Sequence, residues 1–383
     1  MKGLLKILPP LSPDYAGASS ALYTLGGAII INGADGCIGN VTGYDEPRFF
    51  DYNTHIYSSG LREVKAITGD EEILKEKIDN SVGDKDVSFI TILGTPNSAV
   101  IASDHKGVAN ILRRGQRIPV FTINTTGILT YEKGASNAFL ELAKNFIEDR
   151  PTGSGVNIIG ASPMDYWGEA QIKSIKRAIE NRGLQVNGIW GADNSLESIR
   201  KALMSEVNLV VSYSGLKAAR YMKKKYGIPY IAGVPAGRQF SDHLVEMLKS
   251  PESEVPVVPE VQPSTQRGVK RALIIGDQIW SMSIKAYLGL EKEITDVYTA
   301  SFFSLDPVYR SETDLIIDSE KQLKQLISRL KPDLIIGDPL CEGFIEKSSP
   351  SSDIEFIGIP HPAVSSRLHW DHDIVYAGEE LSF

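Results

Sequence analysis

Two cysteines and six histidines are the chain's whole supply of thiol and imidazole, so each can be weighed by where it falls. Cys37 ends the glycine-rich run Asn32-Gly-Ala-Asp-Gly-Cys37 and is followed by Ile38-Gly39, a loop pliant enough to carry a sulfur to a surface. With Asp35 two residues ahead, it offers a thiolate and a carboxylate to a metal. A lone cysteine is equally a small hydrophobe that fills space. Cys341, after Asp338-Pro-Leu, has the same two readings: packing, or a thiol facing a cofactor. Three histidines crowd one stretch, from Pro360-His361-Pro362 to Arg367-Leu-His369-Trp-Asp-His372-Asp373. His369 and His372, with Asp371 and Asp373 beside them, are spaced to share a helical face that binds a metal or shuttles protons near neutral pH. A solvated polar turn is the plainer account of that pair. His361 is stiffened between two prolines. Arg238, after Gly233-Val-Pro-Ala-Gly237, has the planar fork that pairs with a carboxylate on a bound ligand, and an ordinary surface arginine is the equal alternative.

Such residues need elements to hold them, and the dominant signal is short branched apolar runs alternating with longer helical patterns. Strands are expected at Ala28–Ile31, Ser88–Ile92, Pro119–Ile123, Val156–Ile159, Gln185–Trp190, Asn208–Val211, Pro229–Ala232, Ala272–Ile275, Asp296–Thr299, Asp333–Ile336 and Asp353–Ile357. Helical spacing marks Glu71–Asn80, Ala135–Glu148, Glu169–Asn181, Leu216–Lys225 and Lys321–Arg329. The turn-rich Arg150-Pro-Thr-Gly-Ser-Gly155 and the proline-bearing Ser250–Arg267 read as junctions. They divide the chain into 1–150, 151–262 and 263–383. The fold class is therefore α/β, three Rossmann-like units of parallel sheets flanked by helices.

Composition narrows the function. A net charge of −8 with no basic face makes nucleic acid an unexpected partner. No run approaches the roughly 18 apolar residues of a membrane span. Met1–Pro13 lacks the features of a secretion signal, so cytoplasmic residence is expected. Neither Val156-Asn-Ile-Ile-Gly160 nor Ala272-Leu-Ile-Ile-Gly276 continues as a dinucleotide fingerprint, and no phosphate-binding loop ends in Gly-Lys-Ser/Thr. Work done with ATP falls to a partner.

Pro13-Asp-Tyr-Ala-Gly17, an apolar strand and Asn32-Gly-Ala-Asp-Gly-Cys37 together resemble the opening of nitrogenase component 1 subunits. Tyr57-Ser-Ser-Gly-Leu-Arg-Glu63, Ile90-Thr-Ile-Leu-Gly-Thr-Pro-Asn97, Ser212-Tyr-Ser-Gly with Tyr226-Gly-Ile-Pro229, Pro332-Asp-Leu-Ile-Ile-Gly337 and Ile357-Gly-Ile-Pro-His361 extend the likeness along almost the whole chain. Its compact length is nearer to nitrogenase-like proteins such as the subunits of protochlorophyllide reductase and of nickel-sirohydrochlorin diamide reductive cyclase.

The resemblance implies a dimer, of identical or paired component 1-like subunits, with an iron–sulfur cluster at the interface and electrons delivered by an ATP-driven iron protein. Cys37 matches a family cluster cysteine, whereas Pro13 and Thr95 stand where two others would be. Four cysteines are the usual requirement, so Asp35, Asp14 or a partner subunit would have to supply the rest. Ser212 occupies the position of a cysteine that anchors the catalytic cofactor, and His361, on the cofactor-side loop, is the leading catalytic candidate, an axial ligand or a partner to one. A metallocluster or tetrapyrrole is the implied ligand, the tetrapyrrole carboxylates suiting Arg238. Asn124-Thr-Thr-Gly127 and Trp190-Gly-Ala-Asp-Asn194 supply polar groups at strand ends that orient a ligand or simply close turns. A carrier or scaffold that keeps the cavity but has lost electron input is the competing reading. A hinge-type binding protein or sugar-nucleotide enzyme is the third.

Overall fold

The computed structural model describes residues 1–62, 71–149, 153–192, 195–251, 270–345, 354–370 and 374–381. Within them lie three wholly parallel sheets. The first holds β1 (Ala28–Asn32), β2 (His55–Ser58), β3 (Ile90–Gly94) and β4 (Val120–Ile123), ordered β2-β1-β3-β4. The second holds β5 (Val156–Ala161), β6 (Val186–Gly191), β7 (Val207–Val210) and β8 (Tyr230–Ala232), ordered β6-β5-β7-β8. The third holds β9 (Arg271–Ile275), β10 (Asp296–Ser301), β11 (Asp314–Ile316), β12 (Leu334–Gly337) and β13 (Glu355–Gly358), ordered β11-β10-β9-β12-β13. Each order reverses once, at β1/β3, β5/β7 and β9/β12. Beyond the carboxyl ends of such reversals helix N-termini diverge and leave a crevice for ligands.

Pleating explains how the first sheet is covered on both faces. Ile29 and Ile31 face the main core, while Ala28 and Ile30 meet Leu74, Ile78, Val108 and Leu112 on the other side. The main core runs without a break from Leu22 and Phe139 through Trp190 and Phe240 to Trp280 and Ile335, so the three sheets share one apolar interior.

At its centre the Asp14–Leu22 helix crosses the Tyr131–Phe146 helix backbone to backbone. All nine residues of the first are buried. A Cβ built on Gly17 would stand 2.0 Å from the Tyr131 carbonyl oxygen, and one on Gly134 1.6 Å from that of Asp14. Only glycine permits this approach. The helical pattern expected to begin at Ala135 in fact begins at Tyr131, which brings Tyr131 and Glu132 to the junction of the units. The strand ending in Ile357 starts at Glu355, Asp353 lying outside the described residues. Half of the first expected junction, 150–152, and most of the second, 252–267, also lie outside them. No described helix is long and apolar enough to cross a membrane.

Candidate active site at the junction of three units

The carboxyl ends of β5, β7, β9 and β12 point toward one place, and the first turn of the Tyr131–Phe146 helix arrives there from the first unit. Asp277 follows β9 and caps the Gln278–Glu291 helix, accepting from the N–H groups of Ile279 (2.9 Å) and Trp280 (3.4 Å) and from Tyr213 of the second unit (3.3 Å). Asp338 follows β12 in the same way and accepts from the N–H groups of Leu340 (3.0 Å) and His361 (2.9 Å). His361 is thereby tied by its backbone to the reversal of the third sheet.

Tyr131, Asp165 and His361 meet side chain to side chain. The Tyr131 hydroxyl donates to Asp165 Oδ1 at 2.5 Å and stands 3.4 Å from His361 Nε2. Phe303 walls the group, its ring 4.9 Å from Tyr131 and 5.0 Å from His361. Three buried acceptors or donors here meet no partner among the described residues: Asp165 Oδ2, Glu132 Oε2 and His361 Nδ1. A cavity of about 20 Å³ touches Asp165, Asp277, His361 and Tyr376. That is room for about one water molecule.

The protonation states follow from burial. Asp165 is pushed well above the usual carboxylate range by loss of water, then by the neighbouring charge of Asp277, with Glu132 adding to it. Asp277 is raised to about 6 by burial. His361 is lowered to about 4 by burial, so its ring is neutral at pH 7. A carboxyl that burial makes hold its proton more tightly, a phenol and a neutral imidazole in hydrogen-bond sequence form a short path for a proton.

The other expected site residues are dispersed. Ser212 is buried at the end of β7, donates to Gly160 O (2.7 Å) and lies beside Asp165. Cys341 is sealed in the Pro339–Phe344 turn, where burial and then Asp338 push its thiol well up, the profile of a packed side chain. Arg238 is exposed at the start of the Gly237–Lys249 helix, and its carbonyl oxygen accepts from Arg182 (3.3 Å). His369 ends the short Ser366–His369 turn and acts electrostatically on Asp338. His372 lies outside the described residues, as do Asp371, Asp373 and the Asp193-Asn194 pair.

Cys37 sits in a six-residue helix, Asp35–Asn40, rather than in an open loop. Its Sγ is 3.9 Å from Asn97 Oδ1. Asp35 is exposed and accepts from Ser58 (3.0 Å). Thr95 is fully buried, donates to Asn32 O (2.8 Å) and caps the Pro96–Val100 helix. Asp14, offered as a substitute ligand, is spent internally: its oxygens accept from the N–H groups of Thr126 (2.8 Å) and Gly127 (2.6 Å). No described group of three or more His, Cys, Asp or Glu could hold a metal ion. Of the positions the resemblance assigned to an iron–sulfur cluster, only Cys37 carries a thiol, so the described residues of one chain do not make a cluster site. Tyr44, Val100 and Ile128, in the segments that follow β1, β3 and β4, are exposed, as is Phe50 before β2.

The family model described as nitrogenase component 1 type oxidoreductase matches residues 13–378. The chain belongs to that family. It is 22% identical over 316 residues to a light-independent protochlorophyllide reductase subunit from Zygnema circumcarinatum, covering 71% of this chain and 62% of that protein. Over 180 residues it is 28% identical to the nitrogenase iron-molybdenum cofactor biosynthesis protein NifE of Clostridium pasteurianum, covering 46% and 38%. It thus spans about three fifths or less of these curated relatives. The solved structure titled nitrogenase Cp1 at pH 6.5 superposes with a TM-score of 0.72 over 98% of this chain and 90% of that one, at 15% identity. This likeness is one of fold.

Tyr131, Glu132, Asp165, Asp277 and Asp338 escaped the sequence reading. One signal was available: Ile274-Ile275-Gly276-Asp277 and Ile335-Ile336-Gly337-Asp338 repeat the same four residues at the two strands that flank the reversal.

Proposed function

We propose that the chain is the component 1-type subunit of a two-component reductase and that reduction takes place at the junction of its three units. The carrying observation is the sequence of Asp165, Tyr131 and His361 in hydrogen-bond contact beside unpartnered buried polar atoms. Adding electrons to an unsaturated substrate also requires protons, and a carboxyl whose affinity for its proton is raised by burial can supply one. Electrons would come from an ATP-dependent iron protein, because this chain has no phosphate-binding loop of its own. A cytoplasmic dimer belongs to this reading; exposed Tyr44, Val100 and Ile128 favour the dimer, and a paired subunit would supply the cluster ligands beyond Cys37, the one matched cysteine.

Anaerobic purification of the assembled protein, followed by iron and acid-labile sulfide analysis, tests this. Stoichiometric iron that disappears on Cys37→Ser supports it. Iron absent from both proteins favours the second reading, a carrier or scaffold for a metallocluster or tetrapyrrole. What speaks for that alternative is Thr95 and Pro13 at cysteine positions, with Thr95 fully committed to internal bonds.

A further inference from the structure

The outer edge of the first sheet carries a groove remote in sequence from Cys37 and His361. Its floor is β4, the last strand of that sheet, and its walls are the His105–Gly115 and Tyr131–Phe146 helices. At about 350 Å³ it falls in the size range of small-molecule sites. Lys106, Asn110 and Arg113 recur at helical spacing on one wall, and Asn137, Glu141 and Asn145 on the other.

Several of these groups are already held in place. Arg113 Nε donates to Val120 O (2.6 Å) and its Nη1 to Asn110 Oδ1 (2.7 Å), which fixes the guanidinium against the strand edge. Asn137 donates to Asn124 O (2.8 Å) while accepting from Lys217 Nζ (2.5 Å), a lysine reaching across from the second unit. Lys217 is exposed, yet partial loss of water around it weakens its hold on its proton, and the charges of Lys133 and Lys144 weaken it further. Lys133 lies against the Tyr213 hydroxyl and ring, and Lys144 against Glu141. Asp306, a carboxylate near Lys133, is occupied by a two-pronged pair with Arg220 (2.7 and 2.9 Å).

Of the groove's own lining, Lys106 and Arg113 are cationic, and Glu141, its carboxylate, is already paired with Lys144 (2.7 Å), although the whole chain carries a net charge of −8. Two cations on one wall, facing a carboxylate that is already paired, raise the energy of the empty site, and an anion lowers it. Arginine and lysine beside amide donors suit oxygens that carry charge on more than one atom.

We propose that this groove binds a small organic anion bearing two or more phosphate or carboxylate groups. Binding stabilises the fold by mass action and is read by thermal unfolding at constant ionic strength. Inorganic pyrophosphate and citrate serve as probes for the two chemistries, with sodium chloride as the reference. A saturable rise in melting temperature with either probe, weakened at least tenfold in apparent affinity by Lys106→Gln and by Lys217→Gln, is expected. The tighter of the two probes names the chemistry. Lys106 makes none of the bonds described above, so its substitution keeps the test readable if Lys217→Gln disturbs the fold. The proposal is overturned if both probes act no differently from sodium chloride, or if neither substitution weakens the response.

Discussion

Lowering the pH from 7 to 5 should weaken the native protein through His361, and replacing that histidine should remove this share of the loss. A free imidazole takes up its proton near pH 6.5, whereas burial at the junction lowers His361 to about 4. Between those values the unfolded chain binds a proton that the folded chain refuses. Stability from this group is complete above the unfolded value and is lost as pH falls toward the folded one. From pH 7 to pH 5 the loss amounts to about 2 kcal/mol, since each pKa unit carries about 1.4 kcal/mol. Buried carboxyls act in the opposite sense. Asp45 and Asp277, each raised to about 6 by burial, favour the folded state as pH falls through the same range. The whole-protein curve is a sum, so a difference between two proteins is needed to isolate the histidine. Urea unfolding of the wild type and of His361→Gln at both pH values supplies it. The wild type should lose about 2 kcal/mol more than the variant between pH 7 and pH 5, a midpoint difference of roughly 0.7 M at a slope near 3 kcal/mol/M. Equal losses in the two proteins would refute the neutral, desolvated imidazole and the proton path built on it.

Gly134→Ala would drive a methyl group into the backbone of Asp14, which cannot yield as a side chain would. A destabilisation of about 3 kcal/mol or more is expected, visible as a fall of several degrees in calorimetric melting temperature. Arg48 joins the first two units: it pairs with Glu46 (2.6 and 3.0 Å) and donates to Ser20 O (2.6 Å) and Gly191 O (3.1 Å). Arg48→Lys loses the fork and leaves buried acceptors unmet, so denaturant unfolding should show a loss of about 3 kcal/mol, and an unchanged midpoint would count against the ion pair. Tyr131→Phe removes the donor to Asp165 and should cost about 1–3 kcal/mol by the same measurement. Infrared spectroscopy of that variant should show the absorption of the Asp165 carboxyl group shifted.

What the sequence made legible was whatever lies in runs. Every expected strand coincides with an observed one apart from shifts at its ends, because branched apolar residues bounded by glycine or asparagine leave little alternative. The strands His55–Ser58 and Asp314–Ile316 were not expected. Both are short and lie at sheet edges, where part-exposed positions break the apolar run. Asp14–Leu22 was missed as a helix for the contrary reason: buried on all sides and built from small residues, it has no polar face to mark a period. The candidate site was harder still. Tyr131, Asp165 and His361 are separated by up to 230 residues, and only the packing of three units brings them into contact. Sequence could single out His361 by its prolines, but no local pattern marks Tyr131 or Asp165.

The isolation of the three units in sequence conceals how firmly the chain stitches them in space. Glu320 of the third unit accepts from three successive N–H groups, those of Lys6, Ile7 and Leu8 (3.0, 2.8 and 2.8 Å), and Ser12 donates to Ala363 O (3.1 Å). Tyr376 ties Trp167 and Gln171 of the second unit to Trp280 of the third, and Gly378 pairs with Gly237. These seams do not depend on the covalent connection through residues 252–269. A chain cut there would behave as two halves of a clasp, its fragments 1–251 and 270–383 held together by the strands of chain that each lends to the other.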